Sequence, residues 1–336
     1  MDDRSAPVDE AATATVTDIK ADETARFTVV PASPTSPHQH SHRQHPLLAA
    51  TRPRQWLKNL LVFAAPAAAG GLTHIAVIGK SIAACLIFVA ASAGAYLLND
   101  VMDAESDRHH PQKRRRPVAS GEVATSSALG WSALLVASSI IGASFLSGWV
   151  FTAIIVAYLA INASYSFGLK RVPVVELACI SAGFVLRAVA GGAAIHVTIS
   201  VWFVLVTSSA ALLIAVGKRS AEKRLLGGEG ARHRAVLDSY PDAYLRTLRM
   251  MAETTAVITY SLWAFERATH IASLHLGSPV VLFQLSIVPF VLGILALELA
   301  FESGAGSAPE ELALKNRFLQ ICAVVCATLI AIPIYW

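Results

Sequence analysis

Apolar runs of about twenty residues recur along almost the whole of this chain. A helix needs about that length to cross a hydrocarbon layer ~30 Å thick. Inside a bilayer no water satisfies the backbone N–H and C=O groups, so such runs must close their hydrogen bonds internally, as helices. They fall near residues 57–78, 81–98, 125–146, 150–167, 174–192, 200–216, 250–265, 279–300 and 318–335, and predict an all-α polytopic membrane protein built as a nine-transmembrane-helix bundle. Of 336 residues, 54% are hydrophobic and only 15% charged, with a mean hydropathy of +0.54. That balance is far from an ordinary soluble domain. Pro66 and Gly70-Gly71 interrupt the first run and Thr254, Thr255 and Thr259 enrich the seventh, but membrane helices tolerate such residues where neighbours re-satisfy the backbone.

The cations orient the bundle. Of 27 Lys and Arg residues, only Lys80 and Arg267 lie in the odd-numbered connections and Arg187 lies mid-run, while Lys58 stands at the very start of the first run and is counted with the N-terminal side. Lys58 included, the other 24 precede the second run or follow runs two, four, six and eight. The positive-inside bias then puts the N-terminus and those loops in the cytoplasm and Trp336 outside, in a multi-pass protein of the inner (plasma) membrane. Residues 1–45 lack apolar periodicity and are expected to be a disordered cytoplasmic tail, leaving 46–336 as the transmembrane catalytic domain. His38, His40, His42 and His45 have no surrounding pattern that would build a metal cage, and the polar leader is unlike a secretory signal. Cys85, Cys179, Cys322 and Cys326 sit in apolar runs and read as small fillers.

Directly after the second run comes Asn99-Asp100-Val-Met-Asp103-Ala-Glu105-Ser-Asp107, followed by Arg108 and Lys113-Arg114-Arg115-Arg116. If the helix continues, Asp100, Asp103 and Asp107 stand at i, i+3 and i+7 on one side, with Glu105 more to the side. Three clustered carboxylates repel unless a cation joins them. Oxygen ligands of this kind suit Mg2+, which keeps several waters and is completed by substrate phosphates. Asn99 can bond a metal water or a phosphate oxygen. The arginines, Arg116 among them, can grip phosphate through bidentate contacts, and the same basic run can equally anchor the membrane edge.

Two further polar sets share that side. Tyr165 and Lys170-Arg171 end the fourth run, and Lys218, Arg219, Glu222, Lys223, Arg224, Asp238, Tyr240 and Asp242 follow the sixth. Three polar loops converging on one end of a bundle describe a site, here one for a phosphorylated sugar. Arg187 lies mid-run, three turns from Glu176. An intramembrane arginine turns inward, either to another helix or to a lipid or substrate phosphate.

The motif Asn99-Asp100-x-x-Asp103-x-x-x-Asp107 resembles the first aspartate-rich motif of the UbiA superfamily of intramembrane prenyltransferases. Arg52-Pro53-Arg54-Gln55-Trp56-x-Lys58-Asn59, Tyr165-Ser166-x-x-Leu169-Lys170, Gly183-Phe-Val-Leu-Arg187 and Gly217-Lys218-Arg219-x-x-Glu222 extend the resemblance over about residues 47–336. Members that use aromatic acceptors carry a second aspartate pair after helix six, where this chain has Lys218-Arg219-Ser-Ala-Glu222; Tyr165 and Lys170 are also one residue further apart than the general pattern. These departures are similar to the superfamily's phosphoribosyl-transferring branch, which serves arabinan and arabinogalactan synthesis in the cell wall.

The resemblance implies Mg2+-dependent transfer of 5-phosphoribosyl from 5-phosphoribosyl 1-diphosphate to decaprenyl or another long polyprenyl phosphate. It makes Asp100, Asp103 and Asp107 metal-binding and catalytic. It makes Arg54, Lys58, Asn99, Arg116, Tyr165, Lys170, Arg187, Lys218, Arg219, Glu222 and Tyr240 substrate-binding. Expected partners are those two substrates and membrane lipids, with no nucleic acid; prenyl chain length and self-association stay open. An aromatic prenyltransferase with a prenyl diphosphate donor is the alternative chemistry. A transporter is the alternative class, against which stands the lack of a second copy of the aspartate cluster in the other half.

Overall fold

A computed structural model describes residues 45–110, 113–226, 235–274, 281–303, 312 and 315–336. The tail expected at 1–45 lies outside them apart from His45. The described residues include seven long helices: α1 (Ile75–His109), α2 (Thr125–Phe167), α3 (Val175–Ile195), α4 (Val201–Leu226), α5 (Asp242–Leu274), α6 (Ile287–Glu302) and α7 (Arg317–Tyr335). Among the described residues six helical stretches are long and apolar enough to cross a membrane: α1 to α4, Val281–Glu302 with α6 inside it, and α7. The protein is all-α and polytopic. Helix α5 spans 33 residues but carries charge at both ends, which leaves only a short apolar middle. Outward side chains such as Ile75, Phe145 and Trp149 are apolar and exposed, as lipid contact requires and water would penalise.

Helix α2 is two helices in one apolar run. Ser147 (φ −151°, ψ 22°) and Gly148 (φ 74°, ψ −159°) leave helical geometry, and the left-handed φ at Gly148 is available because glycine has no Cβ. The packing reveals the reversal. Gly142 lies against Ile87 and Gly94 against Ser132 and Val136, so the first arm runs antiparallel to α1. Phe88 meets both Phe151 and Tyr158, at 6.4 and 5.4 Å between ring centroids, and Ser166 reaches Asn99, so the second arm runs parallel to it. The separate runs expected at 125–146 and 150–167 are these arms.

The run expected at 57–78 is not one membrane helix. A tight 3-10 helix covers Pro53–Phe63, a short α-helix Ala64–Ala68, and a second 3-10 turn Gly71–Thr73 before α1 begins. Pro66 lacks an N–H, Gly70 adopts φ 77°, and together they end each element before it can lengthen. This broken segment packs tightly on α3: a Cβ on Gly191 would stand 1.8 Å from the Val62 carbonyl oxygen. Val62, Phe88, Phe151, Ile155 and Tyr158 share the core between α1, α2 and α3. A second core joins α5, α6 and α7 through Tyr260, Trp263 and Phe283.

Candidate active site

Helix α1 runs eleven residues beyond the apolar stretch that ends at Leu98, so the acidic segment is helical throughout. Its i, i+3, i+7 spacing therefore places Asp100, Asp103 and Asp107 on one side, while Glu105 is exposed. Asp100 and Asp107 are almost wholly buried. Charges in that position demand partners, and three separate loops deliver them. Arg52, from the entry to the 3-10 helix, donates to Asp100. Arg116 bridges Asp100 at 3.3 Å and Asp107 at 2.6 Å. Lys170, from the turn after α2, donates to Asp103. Asn99 orients the middle of the set, donating to Asp103 Oδ2 and accepting from Ser166 Oγ, both at 3.2 Å.

Arg52 was not among the expected binding residues although its Arg-Pro segment carries part of the resemblance. Its backbone is left-handed (φ 56°), and its guanidinium lies 5.0 Å from the centroid of the Tyr96 ring. A strained non-glycine residue at a site of converging charge is a functional signature, but strain has no trace in sequence. The donor set of three carboxylates and one amide fits a hard, oxygen-seeking cation. Among the described residues no three Asp, Glu, His or Cys side chains are gathered closely enough to hold a metal ion together; each aspartate of the triad is turned to its basic partner, so a bound Mg2+ would need oxygen ligands from substrate and water as well.

The set that begins on the last turns of α4 resolves differently. Arg219 is 2% exposed, and its Nε donates to both oxygens of Glu176 at 2.7 and 3.0 Å. Its Nη2 donates to Glu176 Oε2 at 2.7 Å and its Nη1 to Glu222 Oε2 at 2.6 Å. The guanidinium fork is engaged by two carboxylates, so in this structure Arg219 and Glu222 join α3 to α4 as a buried clamp, where the sequence leads one to expect substrate contacts. Tyr240 is likewise scaffold: its buried hydroxyl accepts from the Val174 backbone N–H at 2.7 Å. Burial pushes its phenol pKa up. Lys223 holds the Tyr240 carbonyl at 2.6 Å and Asp242 at 2.9 Å, and that contact keeps the exposed Asp242 carboxyl below its usual range. Tyr165, half-buried, is within electrostatic reach of Arg219.

Of the two partners expected for Arg187, another helix or a phosphate, the structure shows the first. Its Nε, Nη1 and Nη2 donate to Asn59 Oδ1 at 2.7 Å, the Gly183 carbonyl at 2.6 Å and Tyr158 Oη at 2.8 Å. Asn59 passes the link to Ser92 at 3.2 Å. A buried arginine thereby ties the broken segment, α1, α2 and α3 together. Sequence reading also missed Arg249, fully buried on α5, which bonds Ser220 at 3.0 Å, Glu298 at 2.9 Å and Glu302. It does for α4, α5 and α6 what Arg187 does for the other half.

An apolar cavity of about 510 Å³ lies between the broken segment, α3, α4 and helices α5 to α7. Leu61, Ala64, Phe184, Ala211 and Ile214 line one part of it. Lys58 precedes Leu61 by three residues, and in a 3-10 helix such residues eclipse; its Nζ lies 5.6 Å from the Phe184 ring centroid. Lys218 follows Ile214 by four residues on the same face of α4. Helical spacing thus puts each lysine one turn from a residue that lines the cavity. Arg54 is exposed.

Residues 60–223 match the model of the UbiA prenyltransferase family. The chain is 40% identical over 294 residues to a decaprenyl-phosphate phosphoribosyltransferase of Corynebacterium glutamicum, covering 86% of each protein. It is 39% identical over 287 residues to the Mycobacterium tuberculosis protein of that name, covering 83% of this chain and 90% of the relative. Among solved structures, a UbiA homolog from Archaeoglobus fulgidus bound to DMAPP and Mg2+ superposes with a TM-score of 0.64 at 16% identity, over 86% of this chain and 97% of the other. A structure of digeranylgeranylglyceryl phosphate synthase gives 0.60 at 17% identity, over 87% and 98%. At such identities the structural likeness establishes the fold.

Proposed function

The chain belongs to the UbiA prenyltransferase family, and from that premise we propose that it transfers 5-phosphoribosyl from 5-phosphoribosyl 1-diphosphate to decaprenyl or another long polyprenyl phosphate. Diphosphate is the other product, and the lipid product feeds cell-wall arabinan synthesis. The carrying observation is the pairing of Asp100, Asp103 and Asp107 with Arg52, Arg116 and Lys170 at one end of α1. Such a set binds a metal–diphosphate, and the names of the 38–40% identical relatives supply the sugar donor.

Asp100, Asp103 and Asp107, with Asn99 beside them, would hold Mg2+. When bound, Mg2+ neutralises charge on the departing diphosphate. The chain's own residues do the rest. Arg52, Arg116 and Lys170 stand where diphosphate oxygens need donors. Lys58 and Lys218 hold the lipid phosphate beside the apolar cavity, whose walls take the first prenyl units.

The acceptor phosphate is already an anion at neutral pH, so its oxygen attacks the anomeric carbon without a strong general base. Attack opposite the diphosphate inverts an α donor to a β product. The difficulty is bringing two anions together, and the cations are arranged to overcome that repulsion.

The segment 53–73, the two arms of α2, α5 and the five other apolar helices supply nine crossings in this reading. The N-terminus and active loops face the cytoplasm, and the C-terminus faces outward. Purified protein in detergent, given 5-phosphoribosyl 1-diphosphate labelled in the ribose and polyprenyl phosphate, is expected to move label into the lipid phase only when Mg2+ is present. Label entering lipid only from a prenyl diphosphate with an aromatic acceptor would reassign the chemistry.

A further inference from the structure

Resting on the assignment of the diphosphate to this site, we infer that Arg52, Arg116 and Lys170 are exchangeable counter-cations, so that a divalent cation and a diphosphate enter only as a pair. Each carboxylate of the set already has a basic partner. Arg52 serves Asp100, Arg116 serves Asp100 and Asp107, and Lys170 serves Asp103. Three acids and three bases balance, which allows Asp100 and Asp107 to be buried at the edge of the bundle without stranding charge.

A divalent cation arriving alone must push those bases off the aspartates, and each displaced base then repels the ion that displaced it. A diphosphate arriving alone meets bases that are already satisfied and carboxylates that repel it. Arriving together, the two solve each other's problem. The metal takes the carboxylates, and the released guanidinium and ammonium groups turn to the diphosphate oxygens, for which arginine's fork is well matched.

The two sides of the exchange differ in how they are held. The acids sit on one helix, with the side chains of Asp100 and Asp107 only 2% and 5% exposed against 26% for both Arg52 and Arg116; at the third pair Asp103 and Lys170 are both accessible, at 22% and 17%, and all three bases come from connecting segments. Arg52 lies where the short helix Pro46–Ala50 gives way to the 3-10 helix, in a left-handed conformation. The Tyr96 ring supports its guanidinium by a cation–π contact, so the group keeps a favourable neighbour as it leaves Asp100.

Isothermal titration calorimetry on the full chain in detergent tests this with magnesium chloride and inorganic pyrophosphate, each alone and each in the presence of the other, after subtracting their complexation in solution. Each is expected to bind at least about tenfold more tightly when the other is present, by the same factor in both directions, as linkage requires. Lys170→Met and Arg116→Gln are each expected to tighten Mg2+ taken alone while weakening pyrophosphate. Misfolding cannot produce those opposite signs. An Mg2+ affinity that pyrophosphate leaves unchanged in the wild type would overturn the inference while leaving the metal–diphosphate site intact. Failure to bind Mg2+ even with pyrophosphate would remove the site assignment and the inference together.

Discussion

Replacing Arg219 separates a structural role from a substrate role. In Arg219→Met the long apolar side chain keeps most of the volume, but Glu176, 0% exposed, loses three charge-assisted hydrogen bonds and the guanidinium charge that faces it. Removing one partner of a buried ion pair costs about 3–5 kcal/mol. The reverse change, Glu176→Gln, is milder, because Arg219 keeps Glu222 at 2.6 Å and the amide oxygen still accepts; about 1–3 kcal/mol is expected. In Glu176→Gln/Arg219→Met neither charge is left alone, so the pair should be less damaging than Arg219→Met by itself. Denaturant unfolding in micelles, followed by fluorescence of the six tryptophans, measures all three proteins. If Arg219→Met unfolds within about 0.5 kcal/mol of the wild type yet loses affinity for 5-phosphoribosyl 1-diphosphate, the clamp reading is wrong and Arg219 is a phosphate ligand.

Asp103→Asn should lower kcat by about 10²-fold or more while leaving the fold intact; near-normal turnover with normal Mg2+ dependence would contradict its place in the site. Chelation by EDTA should stop label transfer and Mg2+ restore it, which the same assay reads directly. Lys58→Met or Lys218→Met should raise KM for the polyprenyl phosphate by about tenfold, worth about 1.4 kcal/mol, with KM for the sugar donor unchanged; a change confined to the donor would reverse the assignment. Gly191→Ala should destabilise by at least about 1–3 kcal/mol, since the new methyl would lie 1.8 Å from the Val62 carbonyl. Gly183→Ala, whose nearest neighbour is Arg187 Nη1 at 3.5 Å, should cost under about 1 kcal/mol.

Much of the site is local and so is legible in the chain. The triad Asp100, Asp103 and Asp107 lies within three turns of one helix, and its shared face follows from spacing alone. The break between the arms of α2 is marked by Ser147-Gly148, and the membrane character of most of the runs by their length. The first run misleads because its length matches a crossing, while Pro66, Gly70 and Gly71 divide it into 3-10 and short α pieces. Arg52 goes unnoticed because left-handed strain and a contact with a residue 48 positions away have no sequence signature. The partner of Arg187 is hidden for the same reason, since Asn59 stands 128 positions from it.

Sequence alone determined that this is a helical membrane protein with an acidic triad at a membrane edge, because transfer energies and helical periodicity act over neighbouring residues. It also placed the cations near that edge. Tertiary structure decided what each cation does. A guanidinium matches a carboxylate and a phosphate equally well, so the outcome depends on which group the packing of distant helices sets opposite it. Packing sets Glu176 and Glu222 against Arg219, which closes a clamp, and sets partly exposed Arg52, Arg116 and Lys170 against the triad, which leaves charges that an incoming metal–diphosphate can exchange.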